Sequence, residues 1–206
     1  MIIKELVVGP IASNCYILSC KKTKTAVVLD PGDEPNRILM ELAKEELTVT
    51  AIVNTHGHFD HVGGNAKLKE VTGAELLIHK ADAPMLAHLA DMARMWGMAV
   101  ENSPPADRFL AEGDEIAFGQ HKLTVTETPG HSPGGIALLL PGAAFVGDTL
   151  FAGSIGRTDF PGGNHETLIR SVRKKLFILP DDTRVYPGHG PATTIGREKQ
   201  YNPFFG

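Results

Sequence analysis

Cysteine is almost absent: the 206-residue chain has two, Cys15 and Cys20. They lie five residues apart on what reads as one strand, so their side chains should point to opposite faces. A disulfide between them is not expected, and a reducing compartment suits the chain. No apolar run is long enough to span a bilayer, and the start, MIIKELVVGP, lacks a basic stretch followed by a long apolar one. These absences lead to the expectation of a cytoplasmic protein with no membrane partner. A basic excess is missing as well: 20 Lys and Arg stand against 24 Asp and Glu, a formal net charge of −4. A nucleic-acid backbone as main partner usually calls for the opposite balance, so none is expected. Low-complexity segments and repeats at solenoid periods are also absent. What remains is 42% hydrophobic and 21% charged, of a length that suits one domain over residues 1–206.

Short strands and helices follow one another along the chain. Residues 2–8, 14–19 and 25–29 read as β-branched strands, after which Asp30-Pro31-Gly32 forces a turn. Residues 34–46 fit an amphipathic helix with Ile38, Leu39, Leu42 and Ala43 on one face. A buried strand over 50–53, a helix over about 62–72 and a strand over 75–79 come next. Residues 90–108, Met-rich and then Pro-rich, read as a long surface loop or a short broken helix. Its Met92–Met98 stretch, like Phe59, is more readily packing than chemistry, with a lid over an apolar pocket as the other option. Residues 115–118 and 121–126 predict one hairpin; 135–140 and 143–147 predict a second, turning at Pro141-Gly142. The last helix, over about 164–176, has Leu168, Ile169, Val172 and Leu176 as its apolar stripe and Asn164 as N-cap. Two blocks of strands with helices between them predict a layered α/β sandwich.

The chemistry lies in the histidines. There are nine, three of them within Thr55-His56-Gly57-His58-Phe59-Asp60-His61. Alternate residues of extended or turning backbone share a side, so His56, His58 and Asp60 can converge while His61 faces elsewhere and can serve a second ion. Three imidazoles and a carboxylate suit zinc, iron or manganese rather than calcium or magnesium. The plain alternative is a polar loop with surface histidines, but an HxHxDH run is rare by chance. Three further segments carry candidate ligands on tight loops: His131 in TPGHSPGG, Asp148 in GDT and His189 in YPGHG.

With these residues in this order, the chain resembles the metallo-β-lactamase superfamily over essentially its whole length. The resemblance implies a four-layer αββα sandwich with metals at one edge. It implies that His56, His58 and His131 hold a first ion, that Asp60, His61 and His189 hold a second, and that Asp148 bridges them. The cofactors would be two transition-metal ions, zinc or iron, with manganese as an option. Two dications against Asp60, Asp148 and one bridging hydroxide leave about one net positive charge, which favours an anionic substrate or transition state. The hydroxide would be the nucleophile, and Asp60 would act catalytically by orienting it or taking its proton. His79, His88, His121 and His165 match no ligand position. His88 and His121 read as surface residues, and His165 as a candidate substrate contact.

Within the superfamily, Gly147 to Phe151, Ala152 to Phe160 (AGSIGRTDF) and Tyr186 to Arg197 (YPGHGPATTIGR) resemble the compact glyoxalase II-like branch, the hydroxyacylglutathione hydrolases. That resemblance implies hydrolysis of a small-molecule thioester, S-D-lactoylglutathione or a related 2-hydroxyacyl thioester. It also places a substrate-holding basic residue at Arg157; a structural arginine paired with Asp159 or a backbone carbonyl is the competing reading. The chain runs seventeen residues past His189, so the C-terminal helical domain of the larger enzymes is expected to be lacking. The alternative is a persulfide dioxygenase-like oxidoreductase, which shares the GRTDF run at Gly156–Phe160 and would hold one iron through His56, His131 and Asp148. True β-lactamases usually lack the bridging carboxylate and are exported, which argues against that activity.

Overall fold

The structure, a computed structural model, describes residues 1–95 and 97–206. Its first sheet contains β1 (Ile2–Val8), β2 (Ser13–Ser19), β3 (Thr25–Leu29), β4 (Thr48–Val53), β5 (Glu75–His79) and β6 (Arg108–Leu110), side by side in that order. Helices α1 (Pro35–Lys44), α2 (Phe59–Val62), α3 (Asn65–Thr72) and α4 (Leu89–Arg94) fall between these strands. The second sheet contains β7 (Glu115–Phe118), β8 (His121–Glu127), β9 (Ile136–Leu140) and β10 (Ala143–Gly147). A small hairpin of β11 (Leu150–Phe151) and β12 (Ser154–Ile155) interrupts it, and helix α5 (His165–Ser171) follows. The sheet then gains β13 (Arg184–Pro187), parallel to β10, and the edge strand β14 (Thr193–Thr194), before helix α6 (Ile195–Tyr201).

Burial follows the period-two alternation of strands. Leu18, Val27, Leu29, Val53 and Leu77 of the first sheet meet Phe118, Leu123, Val125, Leu138 and Phe145 of the second in one inner layer. The opposite faces carry Ile17, Val28, Ile52 and Leu76 against Ile38, Leu42, Leu68 and Leu89 of the first helical layer. On the far side Ala144, Val146 and Val185 meet Leu168, Val172 and Leu176. The result is the αββα sandwich. It explains why β2 is buried at all seven positions: both of its faces are covered.

Some details differ from the sequence reading or choose between its options. The helix expected over about 62–72 is α3, which starts at Asn65; Gly63-Gly64 separates it from the short, unpredicted α2, and the Gly64 N–H there donates to Pro31 O at 2.7 Å. Of the two options for the 90–108 segment, the short broken helix describes its start: a 3₁₀ turn over Ala83–His88 leads into α4, with Leu86, Leu89 and Ala93 buried. Met92 and Met98 pack on that core, Met95 is exposed, and Trp96 lies outside the described residues. His121 is half-buried beside Phe118, at 5.5 Å between ring centroids, rather than a plain surface residue. Both cysteines are free and buried. The tail packs on its own domain through Phe205 against Phe177, 4.8 Å apart. Among the described residues no helix is long and apolar enough to cross a membrane.

Candidate metal centre

One rim of the sandwich collects every candidate ligand, and strand direction is the reason. β3, β4 and β5 run parallel, so the segments that follow them (Asp30, the His56–His61 loop and Asp82) leave at the same end. In the second sheet β8 and β10 share a direction through the antiparallel β9, and β13 runs parallel to β10. Their exits carry His131, Asp148 and His189. A backbone hydrogen bond from Ile136 N–H to Thr55 O, 2.9 Å, ties the two sheets at this rim.

The side chains gather in two groups, His56 with His58 and His131, and Asp60 with His61 and His189, each with ligand atoms within 4.8 Å of one another. Asp148 lies between them. Its Oδ2 is 3.6 Å from His131 Nε2 and 3.6 Å from His189 Nε2, and its Oδ1 is 3.4 Å from His61 Nε2. The convergence of Asp60 with His56 and His58, expected from alternation, does not occur. The backbone is extended at His58 and turns helical at Phe59, which swings Asp60 and His61 to the second group.

The donor set fits cations. His56 Nε2 and Asp148 Oδ1 are buried with no hydrogen-bond partner, a costly state for polar atoms unless something is bound there. His58 Nδ1 faces His131 Nε2 at 2.8 Å, and His61 Nε2 faces His189 Nε2 at 3.1 Å. Tetrahedral ligation at about 2.0–2.1 Å puts neighbouring nitrogens about 3.3 Å apart, close to these separations. Three of these rings are oriented by a hydrogen bond at the nitrogen that faces away from the group. His131 Nδ1 donates to Arg157 O at 2.7 Å, His61 Nδ1 to Asp30 Oδ2 at 3.3 Å and His56 Nδ1 to Thr55 Oγ1 at 3.1 Å. Gly188 leaves the room required: a Cβ there would stand 2.1 Å from Asp148 Oδ1.

The two groups differ electrostatically. Burial first, then the neighbouring imidazoles, holds His56 well below the ordinary histidine value and His58 down at about 3, so both are neutral donors at pH 7. Burial also pulls on His61 and His189, but Asp60 and Asp148 outweigh it and hold both above the ordinary value. Asp60 is held far below the carboxylate range: burial opposes this, and His61 and His189 prevail.

The sequence reading passed over several residues that shape the site. The sequence marks Asp30 only as part of a turn. It is buried, accepts from Thr55 N–H (2.7 Å) and Thr55 Oγ1 (2.6 Å), and orients His61. Its position at the end of the apolar strand AVVLD was the available signal. The start of β2 grips the His189 loop: Asn14 Nδ2 donates to Pro187 O (3.0 Å) and Gly190 O (2.9 Å), and Tyr16 Oη donates to Pro187 O (2.7 Å). Ser13 Oγ donates to Asp60 Oδ2 at 3.2 Å. No local pattern marks these three. Arg157 sits at the rim of the site, where its Nε and Nη2 donate to the two carboxylate oxygens of Asp159 at 2.7 Å and its guanidinium stacks 3.9 Å over Phe160, which lies edge-on to His58. His165 is exposed at the start of α5, where its ring neighbours Phe204, 6.4 Å away.

Comparison with known proteins gives a consistent family. The model described as metallo-beta-lactamase superfamily matches residues 8–189. Hydroxyacylglutathione hydrolase GloC of Haemophilus influenzae is 38% identical over 208 residues, covering 99% of this chain and 98% of that protein. Among solved structures, one titled BLEG-1 B3 metallo-beta-lactamase superposes with a TM-score of 0.93 at 37% identity, covering 99% of each chain. Another, titled TTHA1623 in a di-iron-bound form, gives 0.90 at 40%, covering 98% of this chain and 99% of that one.

Proposed function

Because the chain belongs to the metallo-beta-lactamase superfamily, whose members are generally metal-dependent hydrolases, we propose that the rim site is a two-metal centre that hydrolyses thioesters. The substrate we propose is S-D-lactoylglutathione or a related 2-hydroxyacyl thioester. The observation that carries this reading is the pair of His/Asp groups joined by Asp148, with His56 Nε2 and Asp148 Oδ1 left unpartnered between them. His56, His58 and His131 would hold one ion and Asp60, His61 and His189 the other, with Asp148 shared. Zinc and iron both suit these donors, and the di-iron form of one relative supports iron as a candidate. When bound, the pair supplies Lewis-acid chemistry, polarising a carbonyl and acidifying a water.

The chain's own residues do the rest. Asp60 Oδ2, too weakly basic to keep a proton, is the water-orienting oxygen, and the Ser13 hydroxyl fixes it. Phe160 beside His58 and Phe151, 6.2 Å from His189, wall the two groups with apolar surface. Arg157 would meet a carboxylate of the thiol carrier by giving up its pairing with Asp159. His165 is a second, more peripheral contact for the carrier. The likeness to GloC supports this substrate class.

The test is loss of thioester absorbance under argon with metal-replete protein, run beside oxygen uptake with glutathione persulfide and hydrolysis of a chromogenic cephalosporin. Thioester hydrolysis that is indifferent to oxygen is expected. Oxygen uptake alone would make the protein an oxidoreductase acting through His56, His131 and Asp148, and cephalosporin turnover alone would make it a lactamase.

A further inference from the structure

Asp82 lies just past the end of β5 and is fully buried. Its side-chain partners among the described residues are two backbone amides and no cation. Oδ2 accepts from Gly57 N–H at 3.0 Å, and Oδ1 accepts from Gly134 N–H at 2.6 Å. Gly57 stands between His56 and His58, and Gly134 lies three residues beyond His131. One carboxylate therefore joins the two loops that carry the three-histidine group, from a turn that belongs to neither. Asp82 is itself fixed by donation from its N–H to His79 O at 3.1 Å.

The glycines are what let the carboxylate in. A Cβ on Gly57 would meet Asp82 O and Met85 at 2.9 Å, and a Cβ on Gly134 would meet Asp82 N, Asp82 Oδ1 and His79 Nδ1 at 2.8 Å. Burying a carboxylate away from any cation is expensive, and each amide it accepts offsets part of that cost. A side chain with only a packing role could be apolar at lower cost. The chemistry of Asp82 is suited to one task, holding two N–H groups at a set separation.

We infer that Asp82 is a positioning residue that fixes the spacing between the His56–His58 loop and the His131 loop, and through it the affinity of the three-histidine group for its ion. The inference rests on the two-group metal reading above. Asp82 touches neither substrate nor ion and acts through the Gly57 and Gly134 amides.

Zinc titration of the metal-free full chain against a competing chelator tests it, with His131→Ala and His189→Ala identifying which binding step belongs to which group. In Asp82→Asn an amide NH₂ must face one of the two N–H donors, so one clasp is lost. The step abolished by His131→Ala should weaken by about 10–100-fold, the range for residues that orient ligands, while the step abolished by His189→Ala should move by less than about threefold. Gly134→Ala keeps the carboxylate and crowds the same clasp. It should weaken the same step, and it stands in if Asp82→Asn fails to fold. Both steps unchanged, or both weakened alike, in a folded variant would overturn the inference and leave the two-group reading standing. If neither His131→Ala nor His189→Ala removes a step, the two-group reading falls and the inference falls with it.

Discussion

Tyr16 and Asn14 donate to one carbonyl, Pro187 O, at 2.7 and 3.0 Å, and this shared acceptor makes a quantitative prediction. Tyr16→Phe keeps the ring in its edge-on contacts with Phe145 and Tyr186 and removes only the hydroxyl. Pro187 O retains Asn14, so the cost should be that of an ordinary hydrogen bond, about 0.5–1.5 kcal/mol. Asn14→Ala also gives up the bond to Gly190 O, for a cost of about 1–3 kcal/mol, again with Pro187 O still satisfied by Tyr16. Only the double variant strips both donors from this buried acceptor. It should therefore cost about 1–2 kcal/mol more than the sum of the single changes. The assay is urea unfolding of the four metal-free proteins, with slopes compared to confirm that the unfolded states match. The His189 loop should loosen with it, so zinc should leave the Asp60–His61–His189 group first. Additivity to within about 0.3 kcal/mol would refute the shared-acceptor reasoning.

Two further predictions follow from the electrostatics of the rim. His61 and His189 are held above the ordinary value of 6.5 in the metal-free protein, so their contribution to folding is full below that pH and is lost as pH rises through their folded values. Since a cation must displace their protons, zinc binding to that group should release protons and strengthen as pH rises through neutrality, whereas binding at the already neutral His56 and His58 should not. Zinc calorimetry in two buffers of different ionisation enthalpy reads this directly, and equal proton release at both steps would disprove it. Separately, Arg157→Ala should raise KM for an anionic thioester by an amount equivalent to about 1–3 kcal/mol while metal content stays the same. A fall in Tm with KM unmoved would show instead that the Asp159 pair is the arginine's whole purpose.

Much of the fold was legible because it depends on short-range patterns. β1 to β5, β7 to β10, the Pro141-Gly142 hairpin and the Asn164 cap, which accepts from Thr167 N–H at 2.8 Å, follow from alternation and turn chemistry within a few residues, whereas the short β6, β13 and β14 carry too little pattern to be predicted. The candidate ligands were legible for a related reason: HxHxDH, PGH, GD and PGHG are compact runs whose glycines and prolines announce tight loops. Where the local conformation changed inside such a run, alternation failed, although the family resemblance had grouped Asp60 with His61 and His189. A helix beginning at Phe59 reassigned Asp60, which alternation alone could not foresee.

By itself, then, the sequence determined which side chains are available for metal and on which loops they sit. The tertiary structure alone decided how those loops are held. Asn14 and Tyr16 reach Pro187 across 173 and 171 residues, Asp30 reaches Thr55 across 25, and Asp82 reaches Gly134 across 52. A hydrogen bond of this kind needs one donor or acceptor at one point in space. It imposes no period or spacing on the chain, and so it leaves no trace until parallel strands bring their ends to a single rim.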